Sequence, residues 1–340
     1  MASSTYRAVQ VSKPGKLELV ARKIVEPSAG KVRIRVEACG VCHSDAATVE
    51  GQFPGIVYPR VPGHEVIGKI DALGEGVSGW KVGQRVGVGY LGGPCFTCKP
   101  CRHGIFVTCQ NQGVSGVSYD GGYAEVMIAG EDGLSAVPHE LSSTEAAPLL
   151  CAGLTTFNAL RNSSARPGDL VAIQGIGGLG HLGVQYARAM GFRVAAIARG
   201  KDKEELARKL GAHHFIDSQT QETGAALQEL GGANVILATA ASGKAMSPLI
   251  GGLVPGGRLV TVGIGADPIE VSTVELILGT RSIEGSLTGS AIDGEEALAF
   301  SVLGNIRPMI ETVPLEAAPE AYARMMRGEA RFRIVLVTGQ

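Results

Sequence analysis

Net charge is nearly absent from this chain. Its 340 residues carry 31 lysines and arginines against 32 aspartates and glutamates, a formal −1 at pH 7. Without a basic field, nucleic acid and anionic lipid are poor partners, and either would need a local patch. Long apolar runs are missing too. No stretch reaches the ~18 apolar residues that mark a membrane-spanning helix, and the opening residues, Met1 to Arg7, contain no signal-like segment. The expectation is a cytoplasmic protein with no place in a membrane. Paired cysteines are disfavoured as well, because the seven present are an odd number without an export signal. Glycine, by contrast, is abundant: the 49 present are about twice the usual ~7%. In a chain that is 45% hydrophobic this excess implies tight turns and close backbone approaches, not disorder. At about 150 residues per domain the length allows two domains.

Four of the cysteines crowd into Cys95-x2-Cys98-x2-Cys101-x7-Cys109. Two-residue spacing lets one tight turn present two thiolates to a metal, and four thiolates complete a tetrahedral zinc shell. Gly92, Gly93, Pro94, Pro100 and Gly104 mark the surroundings as a lobe of turns with little core of its own. An iron–sulfur cluster is the sharper competing reading, since the spacing loosely resembles cluster-binding runs. Four unrelated buried cysteines are the blander one. Zinc held by four thiolates is formally −2 with no open position, so this site is expected to be structural.

A second constellation begins where the alternating run Lys31-Val32-Arg33-Ile34-Arg35-Val36 ends, in Cys39-Gly40-Val41-Cys42-His43-Ser44-Asp45. Spacing alone leaves open which sulfur of Cys39 and Cys42 faces inward. Downstream come Gly63-His64-Glu65-x2-Gly68-x5-Gly74-x2-Val77 and the last cysteine, Cys151. This run resembles the signature of zinc-containing alcohol dehydrogenases, in the medium-chain dehydrogenase/reductase superfamily, and the likeness extends from the first strands to Arg333. The resemblance implies that Cys42, His64 and Cys151 ligate a catalytic zinc and leave its fourth position open, with Cys39 a small buried neighbour. It gives Ser44 the hydrogen bond to the substrate oxygen, Asp45 the orientation of the His64 imidazole, and Glu65 a place behind the metal. Two zinc ions per subunit are therefore expected.

From Gly168 the pattern is turn, strand, glycine loop and helix. The run Leu170–Gln174 is followed by Gly175-Ile176-Gly177-Gly178-Leu179-Gly180 and then by helical spacing from His181 to Met190. In that context the glycines admit a dinucleotide pyrophosphate to backbone N–H groups and a helix N-terminus. Runs at 193–198, 234–239 and 258–263 read as further strands of a Rossmann-type doubly wound parallel sheet. The acid expected about twenty residues after the first glycine is missing: Ala198 fills its place, and Arg199 and Lys201 follow. NADP is accordingly favoured over NAD, because a 2′-phosphate escapes carboxylate repulsion and gains charged donors. The resemblance adds His43, Thr155, Ile264 and Arg333 to the cofactor contacts, with Arg333 on the pyrophosphate. His181 is expected on a helix surface, and His103, His139, His213 and His214 are read as structural or solvated.

The resemblance makes the fold α/β, with a discontinuous β-rich, GroES-like catalytic domain (1–152 and 288–340) around a dinucleotide domain (153–287). The reaction it implies is zinc-dependent hydride exchange between an alcohol and NAD(P), with the zinc-bound alkoxide as hydride donor and an aldehyde or ketone as product. One departure is Ala47, where many relatives carry a histidine that finishes the proton relay. Phe53 and Tyr90 fall where aromatics line the alcohol channel, which suits an apolar alcohol or aldehyde. A polyol or formaldehyde dehydrogenase of the same superfamily is the closest competitor; a non-catalytic structural relative and a zinc-stabilised binding module are more distant ones. Relatives are dimers or tetramers, so a homo-oligomer is expected.

Overall fold

A computed structural model describes residues 4–339. The chain divides into two compact units: Met1–Leu154, Gly289–Val302 and Arg307–Gln340 form one, and Thr155–Thr288 with Leu303–Ile306 the other. None of the helices among the described residues is long and apolar enough to cross a membrane.

The first unit is organised around the strand Lys31–Val41. Its first half alternates, with Val32, Ile34 and Val36 buried between exposed or half-buried Lys31, Arg33 and Arg35, and from Ala38 onward it is buried on both faces. That change of pattern follows its neighbours. Residues Lys31–Arg35 pair antiparallel with Val126–Gly130, whereas Ala38–Val41 pair antiparallel with the closing strand Arg333–Val337. Along its other edge runs Val66–Leu73, which pairs in turn with Arg85–Val88. Ile34, Val36, Ile70, Val86, Met127 and Ile334 meet in the core beneath. The register sets Cys39 opposite Val66, so the end of one strand and the start of the next bring Cys42 and His64 to the same place.

The second unit is a six-stranded parallel sheet in the order His214–Asp217, Arg193–Ala198, Leu170–Gln174, Ala233–Ala238, Leu253–Thr261, Ser282–Gly285. Numbered along the chain this is 3-2-1-4-5-6, the dinucleotide-binding order, in which the connections reverse direction beside Leu170–Gln174. The two innermost strands, Leu170–Gln174 and Ala233–Ala238, are buried almost throughout, which is why they read as apolar runs rather than alternation. The strand His214–Asp217 has no such run in the sequence; its first two residues are only half-buried. Leu253–Thr261 starts well before Arg258, continuing through Pro255-Gly256-Gly257.

His181 corrects the sequence reading. It is fully buried, not on a helix surface, and its Nδ1 lies 2.8 Å from the Gly177 carbonyl oxygen. Its helix, Gly180–Ala189, buries seven of its ten residues, so a polar residue in the first turn has no solvated face to occupy.

Candidate metal and dinucleotide sites

Cys42 ends the extended chain and caps a short turn, His43–Asp45. The turn folds Asp45 back so that its Oδ2 accepts the Cys42 backbone N–H at 2.9 Å. Asp45 Oδ1 lies 3.1 Å from His64 Nδ1, and both side chains are about 2% exposed. That contact makes Nδ1 the protonated nitrogen and turns the lone pair of Nε2 the other way. Cys151 arrives from the helix Ser143–Pro148, which opens on a Ser142/Glu145 capping box. Pro148 has no N–H and crowds the preceding turn, and the chain continues as a wide π turn, Leu149–Gly153, that carries Cys151.

These elements gather Cys42, His64, Glu65 and Cys151 so that one ligand atom from each lies within 4.8 Å of the others. The two sulfurs are 3.8 Å apart. Glu65 is fully buried and pairs with Arg333, itself 5% exposed. Electrostatics mark the cluster as short of a cation. The Cys151 thiol, then Arg333 and His64, hold Cys42 well below the usual thiol range in spite of burial. Cys151 is driven up by the sulfur it shares and by burial. Burial alone would push His64 down, yet Asp45 and Cys42 reverse this and raise it. Burial raises Glu65, with the Cys42 charge adding to it and Arg333 opposing.

His64 Nε2 is buried and has no hydrogen-bond partner among the described residues. An orphaned imidazole nitrogen aimed at two sulfurs is a donor set suited to zinc. Tyr90 stands edge-on to the His64 ring, with centroids 5.1 Å apart and planes at 87°. Ser44 is half-buried and His43 exposed beside it. Phe53 is 45% exposed, and Cys39 is fully buried outside the cluster.

Cys95, Cys98, Cys101 and Cys109 form a second cluster of the same compactness. Donors from Thr97 Oγ1, Asn111 Nδ2 and the Cys98 backbone N–H bring Cys95 down to about 5. Cys101, buried among the other sulfurs, is pushed up to about 12. Without a cation a set of thiolates this close cannot all ionise, which again fits a metal.

In the other unit the glycine loop divides its labour. Gly175 takes φ +89° at the turn, and a Cβ on Gly180 would overlap the Gly175 carbonyl oxygen. Around Gly177 there is open space on the side where a Cβ would stand, the room a pyrophosphate needs. A cavity of about 690 Å³ opens beside this loop, and its lining includes Gln174, Gly175, Arg199, Lys203 and Ser218. Lys201 is exposed outside that lining. Lys203 was not singled out from the sequence, although it sits two residues further along the same basic turn; its Nζ donates to the Ile176 carbonyl oxygen at 3.0 Å. Ile264 is 85% exposed, and Thr155 is buried.

Residues 28–139 match the alcohol dehydrogenase GroES-like domain, and residues 178–302 match the zinc-binding dehydrogenase domain. Alcohol dehydrogenase patD of Penicillium expansum is 44% identical over 98% of this chain and 98% of its own. The chain is a zinc-containing alcohol dehydrogenase of the medium-chain dehydrogenase/reductase superfamily. Among solved structures, the CAD of Helicobacter pylori complexed with NADP(H) superposes with a TM-score of 0.85 at 29% identity, covering 98% of each chain. Acetophenone reductase of Geotrichum candidum, in complex with NAD, gives 0.85 at 27% identity and covers 99% of this chain and 98% of its own. The dehydrogenase is thus an NAD(P)-dependent oxidoreductase that acts on small alcohols and aldehydes and uses zinc.

In this alcohol dehydrogenase Arg333, which the sequence likeness assigns to the pyrophosphate, has its guanidinium on Glu65. Breaking so buried a pair from one side leaves an unneutralised charge. Arg333→Met is expected to destabilise the protein by about 3–5 kcal/mol, read as a lower urea midpoint. Adding Glu65→Gln should recover most of the loss, and no recovery would mean that the two side chains are not energetically coupled.

Proposed function

We propose that Cys42, His64 and Cys151 hold the catalytic zinc and that Cys95, Cys98, Cys101 and Cys109 hold a second, structural one. The observation that carries this is the orphaned Nε2 of His64 among two sulfurs and a carboxylate, inside a sheet whose register brings the segments together. Bound there, zinc supplies the Lewis acidity that makes an alcohol hydroxyl acidic near neutral pH and polarises a carbonyl in the reverse direction. Asp45 fixes the His64 tautomer. Ser44 Oγ accepts the substrate's hydroxyl proton. Ala47 offers no base to carry a proton further, so Ser44 would pass its own hydroxyl proton to water or to the cofactor ribose hydroxyl as it accepts the substrate's. Tyr90, packed at right angles to the His64 ring, adds aromatic surface beside that ligand, which favours small apolar alcohols and aldehydes.

The nicotinamide dinucleotide, when bound, exchanges the hydride. Gly177 gives its pyrophosphate room, and Arg199 and Lys203 flank the ribose side of the cavity, where Asp217 is unavailable. Its Oδ1 already accepts the backbone N–H groups of Gly200 at 2.7 Å and Gln219 at 3.0 Å. This supports NADP over NAD. Seven free thiols suit a reducing compartment, consistent with a cytoplasmic enzyme. The edge strand Ser282–Gly285 and the helix Thr273–Gly279, on which Val274, Ile277 and Leu278 are 58–82% exposed, support pairing of two copies along that side of the sheet.

Metal analysis of the purified enzyme should find two zinc ions per subunit. Cys151→Ala should hold one and lose activity on a panel of alcohols, and full activity with one zinc would refute the assignment. The wild-type enzyme should use NADP with the higher kcat/KM. Arg199→Ala should cut the NADP-to-NAD ratio by about tenfold, the loss of one charge-assisted bond of ~1.5 kcal/mol; a wild-type preference for NAD would reverse the reading. Sedimentation should give a dimer or tetramer, and Ile277→Glu with Leu278→Glu should shift it toward monomer.

A further inference from the structure

The Asp45 carboxylate is held from three directions. Its Oδ1 faces His64 Nδ1 at 3.1 Å, and its Oδ2 accepts both the Cys42 N–H at 2.9 Å and the Tyr123 hydroxyl at 2.8 Å. Neither Asp45 (3% exposed) nor Tyr123 (0%) has water to substitute for a lost partner. The Cys42 donor is fixed by the chain but is a single bond, about which a carboxylate can still swing. The second bond to Oδ2, from Tyr123, closes off that rotation. Were the carboxylate to turn, Oδ1 would leave Nδ1, and the imidazole would lose both its orientation and the group that selects its tautomer.

The tyrosine is itself well anchored. Its N–H donates to the Pro62 carbonyl at 3.0 Å, and its carbonyl accepts the Val9 N–H at 2.8 Å. Its ring also lies on the backbone that carries His64. Gly63 takes φ +104°, and a Cβ there would stand 2.5 Å from Tyr123 Cδ1. One side chain therefore presses on the residue before His64 and bonds the carboxylate that orients it.

We propose that Tyr123 is a positioning residue of the three-ligand metal site, acting through Asp45. This rests on the reading that Cys42, His64 and Cys151 hold zinc. Tyr123→Phe keeps the ring on Gly63 and removes only the hydroxyl, so it separates the hydrogen bond from the packing. The measurement is zinc release from the intact enzyme to a chromogenic chelator, the three-ligand phase being identified by its absence in Cys151→Ala. Loss of a group bonded directly to a ligand typically weakens metal binding 10–100-fold, so removing one bond further out should accelerate this phase by roughly tenfold. Release from the four-cysteine lobe should stay close to wild type, and the thermal midpoint should fall by no more than the few degrees that loss of one buried hydrogen bond brings. The cobalt-substituted site should show a shifted d–d spectrum. In an Asp45→Asn background the tyrosine change should add nothing.

Unchanged release and spectrum in Tyr123→Phe, with wild type retaining its zinc, would overturn the proposal alone. Equal acceleration of both phases with a fallen midpoint would do the same, by showing a general structural role. An undiminished effect in Asp45→Asn would exclude Asp45 as the route. A wild-type enzyme with no zinc at this site would overturn this proposal and the functional reading together.

Discussion

Two sulfurs, an imidazole nitrogen and a carboxylate brought within 4.8 Å in a buried place form an arrangement no apolar core would tolerate without compensation. Burial penalises each charge separately, and the anionic members repel one another. The protein answers with one guanidinium, Arg333, and one imidazole that is driven toward its protonated form. The surrounding structure serves to keep this set together. The strand Lys31–Val41 delivers Cys42, the strand paired to it delivers His64 and Glu65, the closing strand delivers Arg333, and a proline-induced π turn delivers Cys151. Three of these four approaches are fixed by sheet register, in which a one-residue slip would turn a side chain to the other face.

Much of this was legible in the sequence, and the reason is periodicity. Leu170–Gln174 and Arg193–Ala198 stand at the bounds read from their apolar runs, because central strands of a parallel sheet are buried on both faces. His214–Asp217 sits at the sheet edge, where one side is left open, and its one histidine and half-exposed phenylalanine carry no such signal. The strand Leu253–Thr261 begins ahead of the apolar run at 258–263, and the Pro-Gly-Gly within it has the composition of a turn, which hides that start in the sequence.

The metal clusters divide in the same way. Four cysteines at short spacing are a local feature, and they meet in space as they stand in sequence. The other cluster joins segments up to 109 residues apart. Spacing could not choose between Cys39 and Cys42; likeness to a family did so, and the fold places Cys39 outside the cluster. Helical periodicity is averaged over a face, and a single polar residue bonded to a loop carbonyl does not disturb it, so the burial of His181 is not visible in the pattern. Lys203 and Tyr123 lie outside any motif, and only the fold brings them to their sites.

On the proposed assignment, the surroundings of the two clusters suit one to chemistry and the other to architecture. The four-cysteine lobe sits near the surface, with Cys95 and Cys98 half-exposed. Water and backbone N–H groups can therefore spread the formal −2 of a zinc tetrathiolate, and no buried cation is needed. The other cluster is more enclosed, with Cys42, His64 and Glu65 buried and Cys151 half-buried, so charge beyond neutrality is balanced mainly by protein groups. With zinc held as proposed, two thiolates, one neutral imidazole and Zn²⁺ would sum to zero, leaving Glu65 and Arg333 to neutralise each other. A neutral metal shell is the better Lewis acid, since it has not already been saturated by anionic donors. On the proposed assignment, the pairing of Glu65 with Arg333 would also keep the carboxylate's charge from being spent on the metal.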